Sequence, residues 1–317
     1  LTVVQEGVER SGCRVNGGVS LPPLARAELV QIGKPSSRRG VRILLESPRA
    51  RVHLAHRIES PDATPTYAGL LKVVSRGEDL RVEEREGIIC ISDRSGDPIA
   101  GPYPTDDLDS IALDLAHIAR YRNVLDLRNE TPADAIFGAL QFEIKQLDLS
   151  RPKQAAVPIP PGAEGEATLY AGSRVVFEVS NRGPRPLYFG LYNLTEAHEV
   201  ALVWPRTAGA REALMPGKTV AIGKSELAQE QFECWLPEGV LQSRDRYKVI
   251  AATTDVDFSL LQQGALKTPW SPQRTDNALS PLEALLAQGM DGIDRAAAPP
   301  PRPDEWLTLD TTLAVIA

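Results

Sequence analysis

Short runs of alternating apolar and polar residues recur along this chain, each cut off by proline or glycine before it reaches helical length. Alternation with a period of two places successive side chains on opposite faces of a strand. Proline has no amide to give to a ladder, so the 26 prolines in 317 residues mark turns and sheet edges rather than sheet centres. Between residues 25 and 92 the runs are Ala27–Ile32, Val41–Leu45, Val52–Ala55, Leu70–Val74 and Ile88–Ile91. Their spacing predicts an antiparallel sandwich.

One segment breaks the pattern. In Asp109–Arg122, Ile111, Leu115, Ile118 and Arg122 recur at helical spacing, which predicts an amphipathic helix with an apolar stripe on its inward face. Strands resume at Leu140–Leu147, and the proline-rich stretch 152–166 reads as a loop or a sheet edge. Further strands are expected at Arg174–Val179, Thr219–Ile222, Gln231–Leu236 and Tyr247–Ala252. A hairpin is expected from Leu187–Leu194 and Glu199–Pro205. Tyr188, Tyr192 and Trp204 are expected in the core. Ser280-Pro281-Leu282-Glu283 has the chemistry of a helix start, and Trp306–Ile316 that of a last strand. The fold class expected is mainly β, two antiparallel β-sandwich-like domains with a few short helices. The first would cover 1–128 and end in the amphipathic helix; the second would cover 129–317.

Charge and cysteine content narrow the function. The formal charge of −7 argues against a broad phosphate-neutralising surface, so no nucleic-acid partner is expected. No apolar run reaches membrane-spanning length and no basic-then-apolar leader is visible, so no membrane partner and a cytoplasmic location are expected. Cys13, Cys90 and Cys234 are an odd, scattered set, read as free thiols. Leu1 in place of a methionine is read as the mark of a piece made within something longer, or of a processed product.

The residues able to do chemistry near neutral pH are few. His53 and His56, read on one strand, would face opposite sides and share no metal. His117 is read as helix packing beside Asp114, and His198 as a solvated residue at the hairpin joint. Cys90 lies in an apolar run and is assigned to the core. Cys13 has Arg14 beside it, but no base or oxyanion loop follows nearby. The acidic groups Asp106-Asp107, Asp255 with Asp257, and Asp291 with Asp294 lack calcium-loop spacing and read as caps and solvated turns. Asn16-Gly17-Gly18 reads as a tight turn, and the sequon Asn193-Leu194-Thr195 as accidental. No catalytic residue, cofactor or metal ligand is assigned.

Several segments nevertheless resemble, in order, the C-terminal non-peptidase half of bacterial caspase-like cysteine proteases of the metacaspase and orthocaspase type. Leu115–Leu127 looks like the "HIARW…LEL.N" helix of those extensions. Gly172–Asn181, Leu187-Tyr188, Val203-Trp204-Pro205, Met215-Pro216-Gly217 and Tyr247–Phe258 look like a small sandwich domain found in them. The tail with Leu282, Leu285, Leu286, Gly289 and Asp304-Glu305-Trp306 fits as well. The resemblance covers residues 105 to 317.

In that family the catalytic His precedes a Gly, whereas the four histidines here are followed by Leu54, Arg57, Ile118 and Glu199, so neither catalytic residue carries over. The resemblance therefore implies a non-catalytic segment whose partner is a caspase-like catalytic domain, in the same polypeptide or after cleavage. Its role would be regulation, or binding of a protein activator or target, in a defence or cell-death circuit. Two other readings stand beside it: an independent sandwich module binding a peptide or another ligand, and a thiol enzyme built on Cys13.

Overall fold

A computed structural model describes residues 2–5, 12–14, 38–60, 67, 69–129, 136, 138–148, 155–160, 166–206, 212–224, 232–236, 239–266, 286 and 305–317. Contacts divide the chain into two units, Leu1–Ser36 and Ser37–Ala317. In the first, β1 (Thr2–Gln5) and β2 (Gly12–Arg14) pair antiparallel, with Cys13 opposite Val3. The expected strand Ala27–Ile32 and the turn at Asn16-Gly17-Gly18 lie outside the described residues.

The second unit opens with β3 (Arg39–Leu44), α1 (Pro48–Glu59), β4 (Leu71–Val73), β5 (Leu80–Arg85), β6 (Ile88–Asp93), β7 (Pro98–Tyr103) and α2 (Leu108–Asp126). The strands form one sheet in the order β4-β3-β5-β6-β7, with β3 parallel to both of its neighbours. Parallel neighbours cannot be joined by a tight turn, and α1 supplies the crossover between β3 and β4.

This corrects the reading of Val52–Ala55 as a strand. Ser47 caps α1 by accepting from the Ala50 amide, and Pro48 sits in the first turn, where a missing N–H costs nothing. It is the same Ser-Pro chemistry that marks Ser280-Pro281. Leu54 and Ile58, four apart, face the core, while Val52 is 71% exposed. His53 and His56 are therefore exposed neighbours on a helix, three apart, and do not face opposite sides of a strand.

The helix expected around Asp109–Arg122 is α2. The Asp107 side chain accepts from the Ser110 amide at its start, as the cap reading of the acidic pair required. Its environment is not that of an amphipathic surface helix, because nearly every position from Ile111 to Arg120 is buried, with Leu113 the exception at 54% exposed. The first half of α2 packs in one core with α1 and the sheet; Val124 near its end belongs to another core with Tyr192, Ile250, Ala252 and Trp306.

The remaining strands are β8 (Leu140–Asp148), β9 (Ala155–Pro158), β10 (Ala167–Tyr170), β11 (Arg174–Asn181), β12 (Tyr188–Leu194), β13 (Val200–Trp204), β14 (Thr219–Ile222), β15 (Phe232–Glu233), β16 (Gln242–Ala252) and β17 (Trp306–Ile316). One sheet runs β14-β11-β8-β9, with β15 also on β11; the other runs β10-β17-β16-β12-β13. The chain switches sheets between β9 and β10, β10 and β11, β11 and β12, β13 and β14, and β15 and β16, as in a Greek-key sandwich.

The fold is mainly β, as the alternation of the sequence required. The expected hairpin is β12–β13, and the proline-rich β9 lies at a sheet edge. Of the three aromatic residues expected in the core, Tyr192 is fully buried, whereas Tyr188 and Trp204 are only half-buried. The expected helix from Ser280 lies outside the described residues apart from Leu286, which is helical and buried.

Two buried polar residues tie this body together. Asn181, fully buried, donates from Nδ2 to the carbonyls of Arg185 and Leu214, while its Oδ1 accepts from the Gly183 amide. All of its side-chain groups are thus satisfied, which makes a buried amide stabilising rather than costly. Lys248, also fully buried, reaches Asp310 Oδ1 at 2.8 Å and the Leu127 carbonyl at 2.9 Å, joining the end of α2 to the sandwich.

Candidate interaction surface

Two of the histidines weighed as possible chemistry, His117 and His198, prove to be fastenings. His117 is buried on α2, and its Nε2–H donates to the His198 carbonyl at 3.0 Å, which selects that tautomer. Gln263 Nε2 donates to the same carbonyl at 2.9 Å and to the His117 carbonyl at 3.2 Å. His198 itself has a left-handed backbone, φ 59°, in the β12–β13 turn, and its ring lies 4.7 Å from that of Tyr121. The expectation of a solvated His198 is thereby corrected: the turn folds against α2 and leaves Thr195 and His198 half-buried, with Glu196 and Ala197 exposed.

Burial, then the charge of Arg122 and the proximity of His117, lower the His198 pKa to about 4. Burial also lowers that of His117, opposed by its bond to the His198 carbonyl. A histidine with a depressed folded-state pKa loses stability as pH falls, because the unfolded chain takes up the proton first, near pH 6.5. The loss from His198 accumulates between about pH 6.5 and pH 4 and, discounted for its partial exposure, should reach about 2 kcal/mol. His198→Asn keeps a residue suited to positive φ. Urea midpoints measured at pH 7 and pH 4.5 should differ less in this variant than in the parent; equal differences would exclude His198 as a source of the acid sensitivity.

Cys234 is equally unlike a nucleophile. Cys234 is buried and its pKa is raised to about 11, by burial first and then by Asp245 and Glu233, so it holds its proton near neutral pH. Cys90 on β6 is half-buried, not a full core residue, and its edge lies against Gly101 of β7. Tyr103 O–H donates to Asp114 at 2.5 Å, which takes up the carboxylate expected beside His117. Asn193 of the sequon donates to Asp245 at 2.9 Å and is half-buried on β12. Among the described residues no three His, Cys, Asp or Glu side chains gather where a metal ion could sit. None of the described helices is long and apolar enough to cross a membrane.

What the fold does present is an apolar end of the sandwich. Tyr170 closes β10 and is 65% exposed; Trp235, after β15, is 71% exposed; Val240 and Leu241, before β16, are 38% and 77% exposed. Main-chain bonds draw them to one place. Gly172 N–H donates to the Cys234 carbonyl at 2.7 Å, and Cys234 N–H to the Ser173 carbonyl at 2.8 Å, clamping the turn after Tyr170 to the residue before Trp235. Across the sheet, Tyr170 pairs with Ile316 and Ile316 with Gln242, which follows Leu241.

Next to this cluster a groove of about 590 Å³ opens between Gln146–Asp148 and Val157 on one side and Ala171–Arg174 on the other. Isolated apolar residues on a surface are ordinary, but an exposed Tyr and Trp whose flanking backbones are clamped together at one end of a sandwich mark a candidate contact site. Alternation carried the signal: with Phe232 and Cys234 facing inward, Trp235 must face outward.

No protein-family model matches this chain, and none of the curated proteins compared with it is significantly similar.

Proposed function

We propose that this chain is a contact-making, non-catalytic region of a caspase-like cysteine protease, acting in the cytoplasm by packing on the catalytic domain or by engaging an activator or target. The observation that carries the reading is the exposed Tyr170, Trp235, Val240 and Leu241 near one end of the sandwich, on a body in which His117, His198 and Cys234 are used for packing. The ordered resemblance over residues 105 to 317 supplies the partner class. Two of the resembling segments also meet: Gly217 N–H donates to the carbonyl of the buried Asn181, and Asn181 N–H to that of Lys218.

The test begins with the native protein, whose intact mass and co-purifying chains should include a caspase-like domain, joined covalently or not. Pairing of that domain with this chain is then measured by calorimetry. Trp235→Ser with Leu241→Ser should weaken it about tenfold or more, as expected for exposed aromatic and aliphatic anchors, with an unchanged melting temperature. Absence of any peptidase domain would remove the protease link and leave the independent peptide-binding module, which the same exposed cluster would serve.

A further inference from the structure

The apolar end adjoins a strand whose outer side meets no other described strand. β10 is the outermost strand of its sheet and pairs only with β17, in parallel, among the described residues. In a parallel ladder alternate residues send both N–H and C=O to the same neighbour. Ala171 N–H donates to the Ile316 carbonyl at 2.8 Å, so the odd-numbered residues face β17. The N–H and C=O of Thr168 and the N–H of Tyr170 therefore point away from the sheet, and no described group bonds them.

The side chains around this edge alternate as well. Leu169 is buried between the sheets, while Tyr170 stands on the outer face. A strand laid along β10 would place alternate side chains beside Tyr170 and, on its inner side, toward the groove at Val157 and Ala171. Charged side chains, bulges and prolines are the usual guards of a sheet edge. The other sheet's edge on this side, β9, carries Pro158, whereas β10 reads Ala-Thr-Leu-Tyr and has none of these guards.

We propose that the free edge of β10 is a strand-addition site for an extended segment of a partner protein with apolar side chains at alternate positions. Main-chain bonds to Thr168 and Tyr170 supply the attachment, and the groove and Tyr170 select the side chains. This rests on the reading of the chain as a contact module but not on the protease link.

The probe is a phage-displayed random dodecapeptide library panned on the whole chain, followed by synthesis of the enriched sequences. Thr168→Pro removes one outward N–H without touching the ladder to β17, a place where a strand tolerates proline. Affinity for an enriched peptide should fall about tenfold or more in Thr168→Pro and stay unchanged in Thr168→Ala, which keeps the amide. N-methylation of alternate amides in the peptide should weaken binding equally in one register and not in the other. That measurement needs no variant and decides the matter if Thr168→Pro fails to fold. Failure of the library to enrich any peptide, or peptides that tolerate both Thr168→Pro and methylation in either register, would overturn the proposal. Pairing with a peptidase domain is read separately through Trp235 and Leu241, so either proposal can fail alone.

Discussion

Asp310→Ala should cost about 3–5 kcal/mol of stability at pH 7, far more than Lys248→Met, which should cost under about 1.5 kcal/mol. The two residues form one ion pair, but their positions are unequal. Lys248 is fully buried, whereas the Asp310 side chain is 23% exposed and has Arg128 3.8 Å away as a second partner. Removing Asp310 strands an ammonium group in the interior with Arg128 and Arg246 nearby; removing the ammonium leaves a carboxylate that still reaches water and Arg128.

The pH dependence identifies the cause. Burial already lowers the Lys248 pKa below its ordinary value, opposed by Asp310. Without Asp310 it falls further in the folded state while the unfolded value stays near 10.4. A lysine depressed in this way costs stability at pH values below its unfolded pKa, so the deficit of Asp310→Ala should shrink as pH rises from 7 toward 10. Urea unfolding of both variants at pH 7 and 10 measures this. Equal losses in the two variants, unchanged with pH, would mean that the pair is not the buried charge described.

Phe177→Ala should be as damaging, at about 3–5 kcal/mol, with Phe177→Leu costing about 1.5 kcal/mol or less. Phe177 has no exposed surface and lies at the middle of the sandwich on β11, paired with Ile144 on β8 and Ile222 on β14. Phe142 at 6.4 Å and Phe232 at 5.5 Å come from its own sheet; Tyr247 at 4.7 Å comes from the facing one. Truncation would open a cavity between two sheets whose separation is set by many other pairs, so the walls cannot close on it. Thermal melting with calorimetry gives the number; a loss under about 1.5 kcal/mol would show that the sheets do collapse together there.

These two positions differ in how visible they are in the sequence. Phe177 belongs to Arg174–Val179, whose alternation alone puts it on the inward face with Val175 and Val179. Lys248 stands in a similar alternating run, Tyr247–Ala252, and local pattern assigns it to the outer, solvated face. It is outward on its sheet, yet that face is covered by the end of α2, and only the packing of α2 makes the position a buried charge. The tip of the β12–β13 turn changed character in the same way: His198, a joint residue by local pattern, became a clasp on α2 with His117 and Gln263.

Residues near in sequence were sufficient to determine the mainly β class, the β12–β13 hairpin, the last strand, the edge position of the proline-rich segment and the caps at Asp107 and Asp257. Each depends on period, turn chemistry or a nearby partner: Asp107 accepts from the Ser110 amide, three residues on, and Asp257 from the Ser259 amide, two residues on. Local pattern also contained the Ser47-Pro48 cap that makes 48–59 a helix, although four alternating residues within it resemble a strand. Tertiary structure alone decided that β3 pairs in parallel with β4 and β5, that α2 is buried nearly all round, that Trp235 and Leu241 remain in solvent, and that β10 has one neighbour among the described strands rather than two. A run of alternating residues specifies which side chains share a face, but whether that face or edge is covered depends on segments up to a hundred or more residues away, whose arrival no local period records.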